Sequence, residues 1–194
     1  MASRQPEVKY DKHQPGGAMI RPEFRTILMD QRGAAVILWS CFMISIVIYI
    51  VIARNVLADA KYAAGLWFAD DARIVLWFLA VVDLGYYAWW KQRYLTRQSI
   101  LGGAKRTKIF RALEGHQGQV EERAATVVST YVTRKIVLFA ILEALAVYGL
   151  VLAIVGRFLA DQYWLSALSL VLLTLEFPAE KSLEALVRQI EQAP

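Results

Sequence analysis

The sequence predicts an all-α membrane protein: a four-helix transmembrane bundle of two hairpins, both termini in the cytoplasm, with short amphipathic helices on that side. Three observations predict this. Apolar residues make up 57% of the 194 residues, above the roughly half that is usual in soluble domains. The excess is gathered in four long runs separated by charged segments, and that block pattern, more than the average, marks membrane spans. The Lys and Arg residues are shared unequally among the connecting segments, which sets orientation.

Residues 1–33 form a polar cytoplasmic arm containing Pro6, Pro15, Gly16, Gly17 and Pro22. Met1 to Gly17 lacks periodicity and reads as an extended, solvated tail. Glu23 to Arg32 reads as a short helix at the membrane surface. These polar residues do not form a cleavable signal peptide, so the first apolar run is expected to stay in the mature protein.

The first span covers about 34–53, free of charge and rich in Ile and Val. In lipid the backbone must satisfy its own hydrogen bonds, so helix overrides β propensity. A charge-balanced loop follows from Arg54 to Arg73, with an aromatic middle, Tyr62 to Phe68, suited to the interface. The second span, about 72–90, ends in Tyr86, Tyr87, Trp89 and Trp90 ahead of Lys91 and Arg93, an aromatic belt with a basic stop.

Residues 91–135 form a basic cytoplasmic loop with ten Lys or Arg against three acids. Anionic lipids are its expected partners. Basic residues placed beside apolar runs act as topology determinants, so the net charge of +5 does not indicate nucleic acid. Within this loop Ala104 to Leu113 has helical patterning. The third span covers about 136–156, and a short turn with Arg157 and Asp161 leads to a shorter fourth span, about 163–177. Residues 178–194 follow as a cytoplasmic amphipathic helix. Its residues Leu183, Leu186, Val187 and Ile190 share one face, to lie on the membrane or pack on the basic loop. The basic tail and middle loop place both termini inside, as in a bacterial-type inner (cytoplasmic) membrane.

The spans carry little that supports redox or hydrolytic chemistry. His13 and His116 lie in polar segments, and the spans offer only Met43, whereas a membrane haem needs axial His or Met. Cys41 is the single cysteine, so an intrachain disulfide is excluded. Catalysis, a cofactor and a metal are therefore not expected. Two intramembrane acids remain, Asp83 and Glu143. A central charge costs roughly 2.5–3.5 kcal/mol on insertion scales and points to a role. Neither has a basic partner in its own span, so each carries its proton or is held by hydroxyls or a partner chain. Tyr148, Ser45, Tyr49, Tyr86 and Tyr87 are the candidate donors.

The thirteen residues Ile141-Leu142-Glu143-Ala144-Leu145-Ala146-Val147-Tyr148-Gly149-Leu150-Val151-Leu152-Ala153 resemble the ion-binding helix of the proteolipid (c) subunit of rotary ATP synthases. In that family Glu-Ala-Leu followed by Tyr-Gly-Leu-Val marks the carboxylate that takes up and releases the translocated proton. The resemblance implies that Glu143 carries a proton with the Tyr148 hydroxyl near it. The second span here is rich in Trp and Tyr, where the family's other helix is Gly-rich, and the loop is far longer than the family's polar turn. A weaker internal echo pairs Ser45-x-x-x-Tyr49 in the first span with Ala144-x-x-x-Tyr148 in the third.

Two functions are expected from these features. The first is a non-catalytic scaffold or accessory subunit of a larger membrane complex, in contact with other membrane subunits. The alternative is proton or cation handling through Glu143, with Tyr148 and Asp83 as companion residues.

Overall fold

The computed structural model describes residues 22–58, 66–102 and 119–192. The arm from Met1 to Gly17, the patterned segment Ala104 to Leu113, and both histidines lie outside the described residues. Six helices are described: α1 (Pro22–Ala58), α2 (Ala69–Tyr94), α3 (Arg97–Gly102), α4 (Gln119–Gly156), α5 (Leu159–Leu175) and α6 (Glu180–Gln192). The all-helical expectation holds. Three helices are long and apolar enough to cross a membrane, over Arg32–Ala58, Ala69–Tyr94 and Glu121–Gly156, and α5 is apolar but shorter, at 17 residues.

The expected break between a surface helix and the first span does not occur. Pro22 takes the first position of α1, where its missing N–H costs nothing, and the helix continues unbroken for 37 residues. At 1.5 Å per residue it is ~55 Å long, about 25 Å more than a hydrocarbon core requires. Helix α4 is built the same way. The last part of the basic segment 91–135 is not a loop but the first half of a 38-residue helix. In α2 the ends match the helix dipole, with Asp70 and Asp71 in the first turn and Lys91 and Arg93 in the last. Helix α5 starts at Leu159, earlier than the sequence suggests, and stops at Leu175, leaving Glu176 and Phe177 beyond the apolar helix.

Helix α4 is central: α1, α2 and α5 all pack on it, and α1 also meets α5. Side-chain pairs fix the directions. Ala35 and Ile46 of α1 join successive clusters with Val128–Val132 and Leu138–Leu142 of α4, so α1 and α4 run the same way. Lys91 of α2 and Lys135 of α4 both bond to Glu176 at one end of α2, and Asp83 meets Tyr148 further along, so α2 runs against α4. Arg73 and Asp161 join the starts of α2 and α5. Helices α2 and α5 are therefore parallel to each other and antiparallel to α1 and α4.

The apolar face of α6 packs on protein. Leu183, Leu186, Val187 and Ile190 are buried with Ala124, Val127, Val128 and Tyr131 of α4 and Ala35 of α1. Of the two placements open to this helix, the one on the basic segment is adopted. Further along α4, Leu138, Phe139 and Leu142 form a second cluster with Ile46 and Leu173, and Leu145 and Leu152 a third with Ala80 and Leu165. In contrast, α1 and α2 expose large apolar side chains outward, among them Ile37, Ile44, Val47, Ile74, Phe78 and Val81. Such a surface is stable only against lipid or further protein.

Candidate functional site

Polar side chains along α4 join it to each neighbouring helix at a different depth. Glu143 faces α1. The Ser45 hydroxyl donates to Glu143 Oε1 at 2.6 Å and the Tyr49 hydroxyl donates to the same oxygen at 2.8 Å. Ser45 and Tyr49 are four residues apart, so one face of α1 presents both. Ser45 Oγ also lies 2.8 Å from the Phe42 carbonyl oxygen.

Asp83 faces the opposite side of α4, where the Tyr148 hydroxyl donates to its Oδ2 at 2.7 Å. Thus Tyr148 does not accompany Glu143, as the family resemblance implies. Five residues turn a helix by ~500°, which sets the two side chains roughly 140° apart around α4. The structure therefore separates Asp83 and Glu143 into two acid–hydroxyl pairs, one per neighbouring helix. Of the remaining donor candidates, Tyr87 goes elsewhere and Tyr86 stacks on Trp89 with ring centroids 5.4 Å apart.

A third cluster lies just beyond α5, and the sequence reading did not assemble it. Glu176 Oε2 accepts from Lys135 at 2.5 Å, and its Oε1 accepts from Lys91 at 2.6 Å and from the Tyr87 hydroxyl at 2.8 Å. Glu176 and Lys135 are buried, with side chains 4% and 10% exposed, while Lys91 is 52% exposed. Burial alone would push the Glu176 carboxyl up; the ammonium groups of Lys135 and Lys91 outweigh burial and hold it below the ordinary carboxylate range. A signal was available in the sequence. Lys91, Lys135 and Glu176 each stand at the same boundary of a different apolar run, and positions at one depth on packed helices can meet.

The seam between α4 and α5 is built from small and polar residues. Ser169 donates to the Leu142 carbonyl at 2.6 Å, and Gln162 Nε2 donates to Ser166 Oγ at 2.9 Å. Gly149 lies against Gln162, where a Cβ would come within 3.0 Å of the Gln162 Cα. At the far end of this seam, Arg73 grips Asp161 through Nε at 2.6 Å and Nη2 at 3.1 Å, with its guanidinium over the Phe158 ring. At the near end, Trp39 donates to the Leu173 carbonyl at 2.8 Å. Among the described residues no three His, Cys, Asp or Glu side chains gather as metal ligands would.

This fold and this arrangement of acids define a class: an all-helical protein of integral-membrane character, with three helices of membrane-crossing length and a shorter apolar one. Comparison with protein-family models, with curated proteins and with solved structures returned no match to this chain.

Proposed function

We propose that this chain is a non-catalytic, four-span subunit of a larger membrane complex, with both ends of the chain and the basic segment 91–135 on the cytoplasmic side. One observation carries the reading. The two acids that the sequence left without a partner, and Glu176 just beyond α5, are each held by a side chain from another helix of the same chain: Glu143 from α1, Asp83 from α4, and Glu176 from α2 and α4. Interhelical hydrogen bonds in membranes contribute about 0.6 kcal/mol on average. Two such bonds do not offset an insertion cost of roughly 2.5–3.5 kcal/mol for a charged acid. The acids therefore serve as register marks between helices, and the apolar faces of α1 and α2 are left for lipid or other subunits.

Two measurements test this reading. Purification in mild detergent is expected to bring down membrane partners in fixed stoichiometry, and recovery of a lone, functional monomer would refute the subunit role. In a Cys41→Ser background, an impermeant maleimide is expected to label Trp67→Cys in intact cells, and Lys181→Cys only after permeabilisation. The reverse pattern would overturn the orientation.

A second reading, proton or cation handling through Glu143, is favoured by the setting of its carboxyl: two hydroxyls of α1, Ser45 and Tyr49, donate to one of its oxygens, Oε1, and a hydroxyl can turn to donate or to accept. Under this reading Glu143→Gln abolishes ion movement in proteoliposomes and labelling by a carboxylate-reactive carbodiimide, with assembly intact. Unchanged ion coupling in the variant would remove this reading and leave Glu143 as a helix–helix contact.

A further inference from the structure

Ion pairs at the two ends of the helix bundle leave a thin layer of the protein between them. Within that layer the only acids are Asp83 and Glu143, each bonded to hydroxyls. We propose that this layer is a lipid-facing belt whose partner is a bilayer with a hydrocarbon core of about 22–27 Å, thinned around the protein where the surrounding membrane is thicker. The proposal rests on the four-span membrane reading above.

Three helices give the height of the belt. In α5, Asp161 and Glu176 are 15 residues apart, ~22 Å at the helical rise. In α2, Arg73 and Lys91 are 18 residues apart, ~27 Å. These four residues define two levels, because Arg73 pairs with Asp161 and Lys91 with Glu176. Helix α4 joins the second level. Its register against α5, fixed where Ser169 meets the Leu142 carbonyl and Gln162 lies against Gly149, brings Lys135 to Glu176. In α1, Trp39 marks the same level through the Leu173 carbonyl and the Phe177 ring, and Arg54 follows 15 residues later. Helix α1 thus also offers ~22 Å, although its charge-free run from Arg32 to Arg54 would cover ~33 Å.

Charges are costly within hydrocarbon, and Arg73 and Lys91, each about half exposed, present theirs to the surroundings at the two ends. On α2 the large side chains exposed between them, from Ile74 to Trp89, are apolar or aromatic. A typical core is ~30 Å thick, so the belt falls short by roughly 3–8 Å. A span that is too long can tilt to fit. A belt that is too short gains nothing from tilting, so the bilayer is what yields. The length of α1 and α4 does not restore the height, because their surplus runs past the level of Glu176 to the region where α6 packs.

The full chain is reconstituted in phosphatidylcholine vesicles with monounsaturated chains of fourteen to twenty-two carbons, mixed with a brominated phosphatidylcholine that quenches tryptophan fluorescence. Competition between the two lipids reads the relative affinity for each chain length. Chains of fourteen to sixteen carbons are expected to bind best, with affinity falling roughly threefold toward the longest, the scale of a modest cost per ångström of mismatch. An optimum at eighteen carbons or more, or equal affinity throughout, overturns the thin belt. Tryptophans shielded from brominated lipid at every chain length overturn it too, since a second copy or another subunit would then cover the belt. In Arg54→Leu/Arg73→Leu/Asp161→Leu the level of Asp161 no longer bounds the belt, and the optimum should move to longer chains. An unmoved optimum in the folded variant overturns the ion pairs as the limit, and the wild-type series decides the thickness if the variant does not fold. Alkaline carbonate extraction reads the membrane location separately. A chain retained in the membrane with its optimum at longer chains removes the thin belt alone, whereas a chain released removes both readings.

Discussion

Glu176→Leu is expected to destabilise the fold by about 3–5 kcal/mol, the range for removing one partner of a buried ion pair. The variant leaves the Lys135 ammonium buried without the carboxylate that neutralises it at 2.5 Å. Lys135→Met should cost less, because Glu176 keeps Lys91 and the Tyr87 hydroxyl. Lys91→Met should cost least, since that side chain is half in solvent and exposed pairs contribute little. The double variant Glu176→Leu/Lys135→Met should recover most of the loss, because apolar replacements of a buried pair are often neutral or better. Thermal unfolding in detergent, read by the six tryptophans, measures all four. Additive losses in the double variant would show that the two groups do not act as a pair.

The same cluster fixes a direction in pH. The Glu176 carboxyl is held below its ordinary range in the folded chain. Its contribution to stability is therefore fully present above the unfolded value and is lost as pH falls through the lowered one. An acid limb in the unfolding temperature that flattens in Glu176→Gln is the expected result. A limb unchanged in that variant would assign the acid sensitivity to other carboxylates.

How far the sequence carried this depends on what each kind of residue responds to. Apolar run length responds to the bilayer, so the helical class and the spans around α1, α2 and α4 were legible from composition alone. Helix continuity was not. Nothing local distinguishes a surface helix ending at Arg32 from one that runs on to Ala58, because a single glycine such as Gly33 costs a helix only about 1 kcal/mol relative to alanine. The placement of α6 was half legible. Its apolar face was visible at Leu183, Leu186, Val187 and Ile190, but whether that face meets lipid or protein depends on α4 projecting far enough to receive it. Among the site residues, Asp83 and Glu143 stood out because charge inside an apolar run is costly. Their partners did not stand out, because hydroxyls from other helices carry no sequence mark of which acid they meet. The family resemblance placed Tyr148 beside Glu143 on linear proximity, and helical geometry sends it to Asp83.

Gly149→Leu should cost about 3 kcal/mol, the upper part of the range for overpacking, and should disrupt the α4–α5 contact selectively. Association of helices in lipid lacks a hydrophobic drive and relies on close packing at small residues. At Gly149 the approach is set by backbone as well as side chain. A Cβ would lie 2.9 Å from the movable Gln162 Oε1, but also 3.0 Å from the Gln162 Cα and 3.3 Å from its carbonyl oxygen. The side-chain oxygen can rotate away; the backbone can yield only if α5 shifts. The seam beside it holds Ser166 and Ser169, and the Ser169 bond to the Leu142 carbonyl requires the helices to stay close. Gly149→Ala should be almost neutral, because the gain of about 1 kcal/mol from replacing a helical glycine by alanine opposes a strain of about the same size at the low end of overpacking. Gly85 is the control. It lies in α2 with nothing within 4 Å of a built Cβ, so Gly85→Leu should not lower the unfolding temperature and should raise it by a few degrees, the gain of somewhat under about 1 kcal/mol from replacing a helical glycine by a good helix former. Equal losses for Gly149→Leu and Gly85→Leu would mean that α5 is not held by close approach at Gly149. The polar contacts at the two ends of the seam, Arg73 of α2 with Asp161 and Trp39 of α1 with Leu173, would then be what holds this short helix in place, through α2 and α1.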